Sequence, residues 1–182
     1  MSFLPEDYKP LAPAGGGYMK LTLGENRIRI LGSMTDDPPT AIRGMVGWLK
    51  DSEGNRKPDR TPAGEKVDAS RYEEKAKEFF AMIVWNYASE QISILEVTQA
   101  SIIGEIVSLA SDADWGNPND YDISIVKTGE GMETRYNTVP KPKKVQTPEI
   151  KAAFAEAEIN LMALFSGDDP FAPVASEKKE PF

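Results

Sequence analysis

The sequence predicts a mainly β fold, a five-stranded barrel with a connecting helix, a long loop between strands 2 and 3, and a C-terminal helix. Two observations predict it. Apolar and polar residues alternate in short runs between Tyr18 and Val139, which is the period of strands whose side chains point to opposite faces. Helical spacing of apolar residues is limited to Ser101–Leu109 and to the segment after Thr147, so helices are expected to play a minor part.

Length and composition favour one domain with appendages. The chain has 182 residues, and its 40% hydrophobic content is enough for one core. We therefore divide it into a flexible N-terminal arm (1–17), a core (18–145), a C-terminal helix (146–166) and an acidic disordered tail (167–182).

The first extended segment is Tyr18–Leu31. Its alternation predicts that Ile28 and Ile30 face the core, whereas Arg27 and Arg29 face outward on one shared side. A basic pair on one face of a strand is suited to contacting phosphate groups.

The second extended segment, Ala41–Lys50, carries Trp48 near its end and Arg43 on its other face. The polar stretch from Lys50 to Lys77 follows it and is longer than a usual strand connection, so it is expected to be a functional loop or a solvated linker. Its cations and Tyr72 suggest a flexible basic wall, but its acids offset them in number.

The rest of the core is expected to contain two hairpins separated by a helix. Phe79–Tyr87 and Gln91–Thr98 form the first hairpin, Ser101–Leu109 the helix, and Tyr121–Val126 with Met132–Val139 the second hairpin. This order of elements is compatible with a small barrel.

A single helix is predicted after the core. Thr147 is suited to cap it, Pro148 to occupy its first position and Gly167 to end it.

Charge and residue types exclude several classes of protein. The net charge is −8, but basic residues slightly outnumber acidic ones from Lys20 to Lys77, and the acidity is partly a property of the tail, with seven acidic and three basic residues from Gln146 to Phe182. Without cysteine or histidine the chain has no disulfides, thiolate nucleophiles, imidazole bases or usual zinc ligands. No run of about 18 apolar residues and no signal peptide is evident, so we expect the protein to act in the cytosol. No cofactor and no metal are expected, and no catalytic residues are assigned.

Four segments resemble the core of single-stranded DNA-binding proteins of tailed bacteriophages. They are Tyr18–Leu31, Phe79–Tyr87, Gln91–Gly116, and the segment Asp114–Pro140 with its D-W-G and G-x-G-x-x-T-R-Y elements. The resemblance covers about two-thirds of the chain. It implies an oligonucleotide-binding barrel, here without the zinc subdomain of some phage relatives.

The resemblance, together with the positions of cations and rings, gives a set of candidate DNA-binding residues. Cations would bind phosphates and rings would stack on bases. The set is Arg27, Arg29, Arg43, Trp48, Arg56, Lys57, Arg60, Arg71, Tyr72, Lys75, Lys77, Trp85, Tyr87, Lys127, Arg135 and Tyr136. Trp85 and Tyr87 are equally compatible with the core. Trp115 lies among aspartates, where a DNA backbone would be repelled, and is expected to be structural.

The tail resembles the acidic tip by which bacterial single-stranded DNA-binding proteins recruit replication and repair enzymes. The candidate partner-binding residues are Asp168, Asp169, Phe171, Glu180, Pro181 and Phe182. A terminal ring and carboxylate suit an apolar pocket with a basic rim.

The expected function is non-enzymatic, sequence-independent binding of single-stranded DNA, which would coat exposed strands during phage DNA replication or recombination. The alternative is a barrel of the same type used as a protein-interaction module without nucleic-acid binding. A metal-dependent nuclease using Asp112, Asp114, Asp120 and Asp122 is a remote third, because aspartates around Gly116 are more typical of turn caps. Oligomeric state and the choice between DNA and RNA are left open.

Overall fold

The computed structural model describes residues 17–172, and the mainly β class is confirmed there. Seven strands and three helices form. The strands are β1 (Gly24–Ile30), β2 (Ala41–Lys50), β3 (Arg56–Pro62), β4 (Lys77–Asn86), β5 (Gln91–Val97), β6 (Tyr121–Thr128) and β7 (Arg135–Lys143). The helices are α1 (Ala100–Ser111), α2 (Pro148–Glu156) and α3 (Ala163–Ser166). Within this part of the chain, no helix has the length and apolar composition needed to cross a bilayer.

The strands form one open antiparallel sheet, so the expectation of a five-stranded barrel is wrong. The order is β3-β2-β4-β1-β6-β7, with β5 paired to β4. Each of the six expected extended segments forms a strand, and the polar stretch after Lys50 contributes the seventh, β3. The two outermost strands in this order are β3 and β7. They do not pair with each other, so the sheet stays open.

The sheet branches at β4. β5 pairs along one edge of β4, from Phe80 to Asn86, so β1 and β2 must share the other edge. The junction is Ile83, whose N–H donates to the Thr40 carbonyl (3.1 Å) and whose carbonyl accepts from the Leu31 N–H (2.9 Å). Two arms leave this point, which we call the β2–β3 arm and the β1–β6–β7 arm.

β4 is buried on both faces. Phe80 and Met82 face a core that includes Ile102 of α1. Phe79, on the other face, packs in a second core with Leu161 from the C-terminal segment. A strand covered on both sides needs a continuous apolar run, which is why F-F-A-M-I-V-W shows little alternation.

The C-terminal segment forms two helices where one was predicted. α2 begins as expected, with Thr147 Oγ1 accepting from the Ile150 N–H (3.3 Å), but it ends at Glu156. The Asn160 side-chain oxygen then accepts a hydrogen bond from the Met162 N–H (3.2 Å). This local bond takes the place of a helical backbone bond and disfavours one continuous helix. Gly167, in the left-handed conformation at φ 76°, ends α3.

β3 corrects the prediction of a flexible basic loop between Lys50 and Lys77. Its sequence, R-K-P-D-R-T-P, contains two prolines and no large apolar residue. Such a sequence can form an edge strand, because prolines are tolerated where one side of the strand is unpaired. β3 pairs with β2 from Gly44–Pro62 to Lys50–Arg56 without a register shift, which makes this part of the segment rigid.

Candidate nucleic-acid interface

The β2–β3 arm carries an aromatic ring and several cations at its far end. Trp48 is 41% exposed on β2, and the Arg56 guanidinium of β3 lies 5.2 Å from the centroid of its ring. A guanidinium at this distance attracts the ring and holds it in place. Lys50 and Lys57 are exposed on the same hairpin. We call Trp48, Lys50 and Arg56, which share one face of the hairpin, the hairpin surface; Lys57 is the register partner of Leu49 and starts from the opposite face.

Two of these cations are only loosely paired. Lys50 Nζ lies 3.2 Å from Glu73, and an Arg56 nitrogen lies 3.5 Å from Glu74; all four side chains are at least half exposed. Exposed ion pairs contribute about 0–1 kcal/mol, so an incoming phosphate can replace either carboxylate at little cost.

Lys57 lines a shallow depression that also contains the first acids of the predicted tail. Asp168 and Asp169 line it from the segment after α3, and Arg60 lines it from β3. Among residues 17–172, Lys57 has no ion-pair partner within 4 Å. The two aspartates therefore make the electrostatic potential near Lys57 less positive without forming an ion pair with its ammonium group.

Two other candidates from the polar segment, Arg60 and Tyr72, serve the fold, whereas Arg71 is as exposed as Lys50 and Arg56. Arg60 donates to Glu96 (2.7 Å) with only 12% of its side chain exposed. Arg71 pairs with Asp59 at 3.4 Å, and the Tyr72 hydroxyl donates to the same carboxylate at 2.5 Å.

Tyr72 is unsuited to stacking because its ring lies against the backbone of Gly47. A Cβ atom on Gly47 would come within 2.5 Å of the ring. Glycine is therefore required at this position for close approach, and the ring is half-buried.

The β1–β6–β7 arm contains a network centred on Asp122. Arg27 Nε and Nη2 donate to Asp122 Oδ2 (3.0 and 2.7 Å), and Arg29 Nε and the Tyr87 hydroxyl donate to Oδ1 (2.7 Å each). The Arg27 guanidinium also lies 5.3 Å from the Tyr87 ring centroid. One carboxylate thus accepts four hydrogen bonds, three of them from cations.

This network moves two pKa values. Burial opposes ionisation of Asp122, but hydrogen bonds from Tyr87, Arg27 and Arg29 outweigh it and leave the pKa of Asp122 below its ordinary value. Burial, followed by the hydrogen bond to the Asp122 carboxylate, raises the pKa of Tyr87 to about 12.

Arg29 and Trp85 are corrections to the predicted interface. The Arg29 side chain is 1% exposed, and its Nη1 donates to the carbonyls of Asn119 and Lys144. Trp85 is 5% exposed and packs with Ile150 of α2. The C-terminal segment covers this face of the sheet, so neither side chain can reach a nucleic acid. Arg27, 41% exposed, is the member of the arginine pair that remains accessible.

The remaining candidates are dispersed. Lys127 and Tyr136 are a register pair at the end of the β6–β7 hairpin, and Tyr136 packs on the core there. Arg135, at the same turn, donates to the carbonyls of Met132 and Thr134. Lys75 and Lys77 are exposed before and at the start of β4.

Arg43 is separated from the hairpin surface by its orientation. It lies five positions before Trp48 on a strand with regular register, so the two side chains point to opposite faces of β2.

The first part of the predicted tail is ordered. Phe171 packs edge-on against Tyr18, with ring centroids 5.4 Å apart, and lies directly on Gly17. It is therefore part of the fold and not a free ring for a partner, which corrects that assignment. Glu180, Pro181 and Phe182 lie outside the described residues.

The aspartates near Gly116 have local roles. Asp112 Oδ1 accepts from the Asp114 N–H (2.7 Å), as a turn cap does, and Asp122 is committed to its arginines. No group of three or more carboxylates in residues 17–172 is arranged to hold a metal ion. Trp115 packs on Tyr121 with centroids 5.3 Å apart, which confirms its structural role.

Sequence reasoning missed two basic features. Lys50 belongs to the hairpin surface, whereas the sequence pattern identifies it only as the last residue of a strand. Lys143, Lys144 and Lys151 surround a depression of about 530 Å³ with Asp120 and Gln146. The K-P-K-K run at 141–144 was the available signal for this lysine cluster.

Comparison with models of protein families gives no match for this chain. Comparison with curated proteins gives no significant match either.

Proposed function

We propose that the protein is a non-enzymatic single-stranded DNA-binding protein that contacts the strand through the hairpin surface. The observation that carries the proposal is the exposed Trp48 ring with the Arg56 guanidinium 5.2 Å from its centroid. Proteins that bind single strands without sequence preference combine rings on which bases stack with cations that follow the phosphates. The hairpin surface supplies both on paired strands.

The acidic net charge does not oppose this proposal, because the charge is unevenly placed. The cations of the hairpin surface, Lys50 and Arg56, have exposed carboxylate partners, whereas Arg29 and Arg60 are held in buried or half-buried pairs. When single-stranded DNA binds, these cations would exchange weak contacts with carboxylates for contacts with phosphates, and counterions would be released from the DNA. The motif resemblance points in the same direction and suggests coating of exposed strands during phage DNA replication or recombination, with partner enzymes recruited through residues 180–182.

Titration with oligothymidine at two salt concentrations, followed by tryptophan emission, tests the proposal. Trp85 is buried and Trp115 is covered by Tyr121, so a change on binding should come from Trp48. Emission should change in the native protein and in Trp115→Phe, which is the matched control, but not in Trp48→Phe.

Affinity should be measured separately by anisotropy of a labelled oligonucleotide. Trp48→Ala should lose roughly 1–3 kcal/mol of binding free energy while staying folded, since this is the contribution of one base stacked on a ring. Binding with weaker affinity at the higher salt concentration is also expected. A folded Trp48→Ala protein with native affinity would remove the hairpin surface from the site.

A further inference from the structure

A cleft of about 410 Å³ lies between α1 and the junction of the two sheet arms. Apolar side chains form most of its wall, among them Ile30 of β1, Met82 of β4 and Ile106 of α1. Its volume is within the range of roughly 300–1,000 Å³ that is typical of small-molecule sites. The proposed binding of single-stranded DNA at the hairpin surface does not involve this cleft.

Two large apolar side chains are exposed at the cleft. Met34, in the connection from β1 to β2, is 40% exposed, and Val107 of α1 is 46% exposed. Single exposed apolar residues are ordinary, but these two belong to the same concave surface. A ligand with an apolar part would cover both and remove their surface from water.

One cation also lines the cleft. Arg43 is exposed and, within residues 17–172, has no carboxylate within ion-pair distance, whereas Lys50, Arg56 and Arg60 on the same arm are all paired.

We propose that this cleft binds a small amphiphilic anion, namely a carboxylate attached to an alkyl chain or a ring. The apolar part lies against Ile30, Met82 and Val107, and the carboxylate accepts hydrogen bonds from the Arg43 guanidinium. Because Arg43 and Trp48 point to opposite faces of β2, this site is independent of the hairpin surface.

The charge requirement is tested with decanoate, below its critical micelle concentration, and with decanol as its neutral counterpart, both measured by calorimetry. Decanoate should bind saturably and at least about ten-fold more tightly than decanol, since a hydrogen bond to a charged group contributes about that much. In Arg43→Gln the affinity for decanoate should fall to that for decanol. Absence of saturable decanoate binding, or equal affinities of the native protein for the two probes, would overturn the proposal.

The location is tested with two matched substitutions. Val107→Trp fills the cleft and should abolish decanoate binding. Val145→Trp adds the same ring at a position that is 79% exposed and outside the cleft, and should leave binding unchanged. Decanoate binding that survives Val107→Trp, or that is lost equally in both variants, would show that the probe binds elsewhere.

Discussion

Arg29 and Asp122 form an ion pair in which both side chains are 1% exposed, and the guanidinium Nε lies 2.7 Å from the carboxylate. The pair joins β1 to β6, while Arg29 Nη1 reaches the carbonyls of Asn119 and Lys144. Burying a charge is costly unless the charge is paired and fully hydrogen-bonded, as it is here. The pair therefore fixes how β1, β6 and the start of the C-terminal segment meet.

Asp122→Asn should lower the free energy of unfolding by about 3–5 kcal/mol, because Arg29 would remain buried without its counter-charge. Since the pKa of Asp122 is lowered in the fold, the stabilisation is fully present above the unfolded value of about 3.9 and is lost as the pH falls through the native value. Urea unfolding at neutral and acidic pH measures both effects. The exposed Asp114→Asn is the control, and an equal loss in that variant would contradict the assignment.

Tyr87→Phe should lose about 1.5–3 kcal/mol at neutral pH, which is typical of a hydrogen bond to a charged group. In the native protein the pKa of Tyr87 is raised to about 12, so its contribution is fully present below about pH 10 and is lost as the pH rises through 12. The variant should show a smaller alkaline decline in stability; part of the decline remains because the pKa values of Tyr18, Tyr72 and Tyr121 are raised as well. Tyr136→Phe, whose hydroxyl has no hydrogen bond within residues 17–172, should retain the full decline.

Arg56→Ala and Arg60→Ala should separate binding from stability. Arg56 is exposed, so its loss should weaken oligothymidine binding and reduce the salt slope by roughly one unit or less, with little effect on unfolding. Arg60 is half-buried with Glu96, and its loss should lower stability by about 1.5–3 kcal/mol. An unchanged salt slope in a folded Arg56→Ala protein would argue against phosphate contact there.

Gly47→Ala should destabilise the β2–β3 arm by about 1–3 kcal/mol, because the new methyl group would overlap the Tyr72 ring. Gly104→Ala is a matched control on α1, where no heavy atom lies within 4 Å of the new carbon. That substitution should instead stabilise the helix by about 0.5–1 kcal/mol. Thermal unfolding of the two variants should therefore shift in opposite directions, and a shift of equal sign would refute the close contact.

Asp168→Asn combined with Asp169→Asn should tighten oligothymidine binding at low salt. Asparagine keeps the acceptors for Ser166 and for the Phe171 N–H, so only the charges beside Lys57 are lost. The gain should vanish at high salt, where Coulomb interactions are screened. Glu149→Gln with Glu156→Gln removes the same charge from α2 and should have a smaller effect; equal effects would mean that only net charge matters.

Strands with strong local signals could be predicted from sequence, and those without them could not. β2 was predicted at its observed bounds, because Ala41–Lys50 combines alternation with a clear polar stop. β3 was missed because its prolines and charges resemble a loop, and only pairing with β2 makes it a strand. The prediction of a closed barrel was also wrong, since no local pattern shows that β1 and β2 share one edge of β4.

The candidate site shows the same limit. Alternation placed Arg27 and Arg29 on one face correctly, but it could not show that α2 covers Trp85 or that the carbonyls of Asn119 and Lys144 enclose Arg29. Each of these contacts joins residues more than 60 positions apart along the chain. Their burial depends on a tertiary contact. Trp48 was a better inference because the end of the hairpin beside it is polar, with Lys50 beyond it on β2 and Arg56 on β3, and polar surroundings favour an exposed ring.

The branch at Ile83 divides the sheet's hydrogen bonds into two ladders with one residue in common. The β2–β3 arm can open without breaking any bond of the β1–β6–β7 arm, and opening of the second arm leaves the first intact. In native-state hydrogen exchange the amides of β2 and β6 should therefore belong to different cooperative units. Binding of single-stranded DNA at Trp48 should slow amide hydrogen exchange in the β2–β3 arm alone.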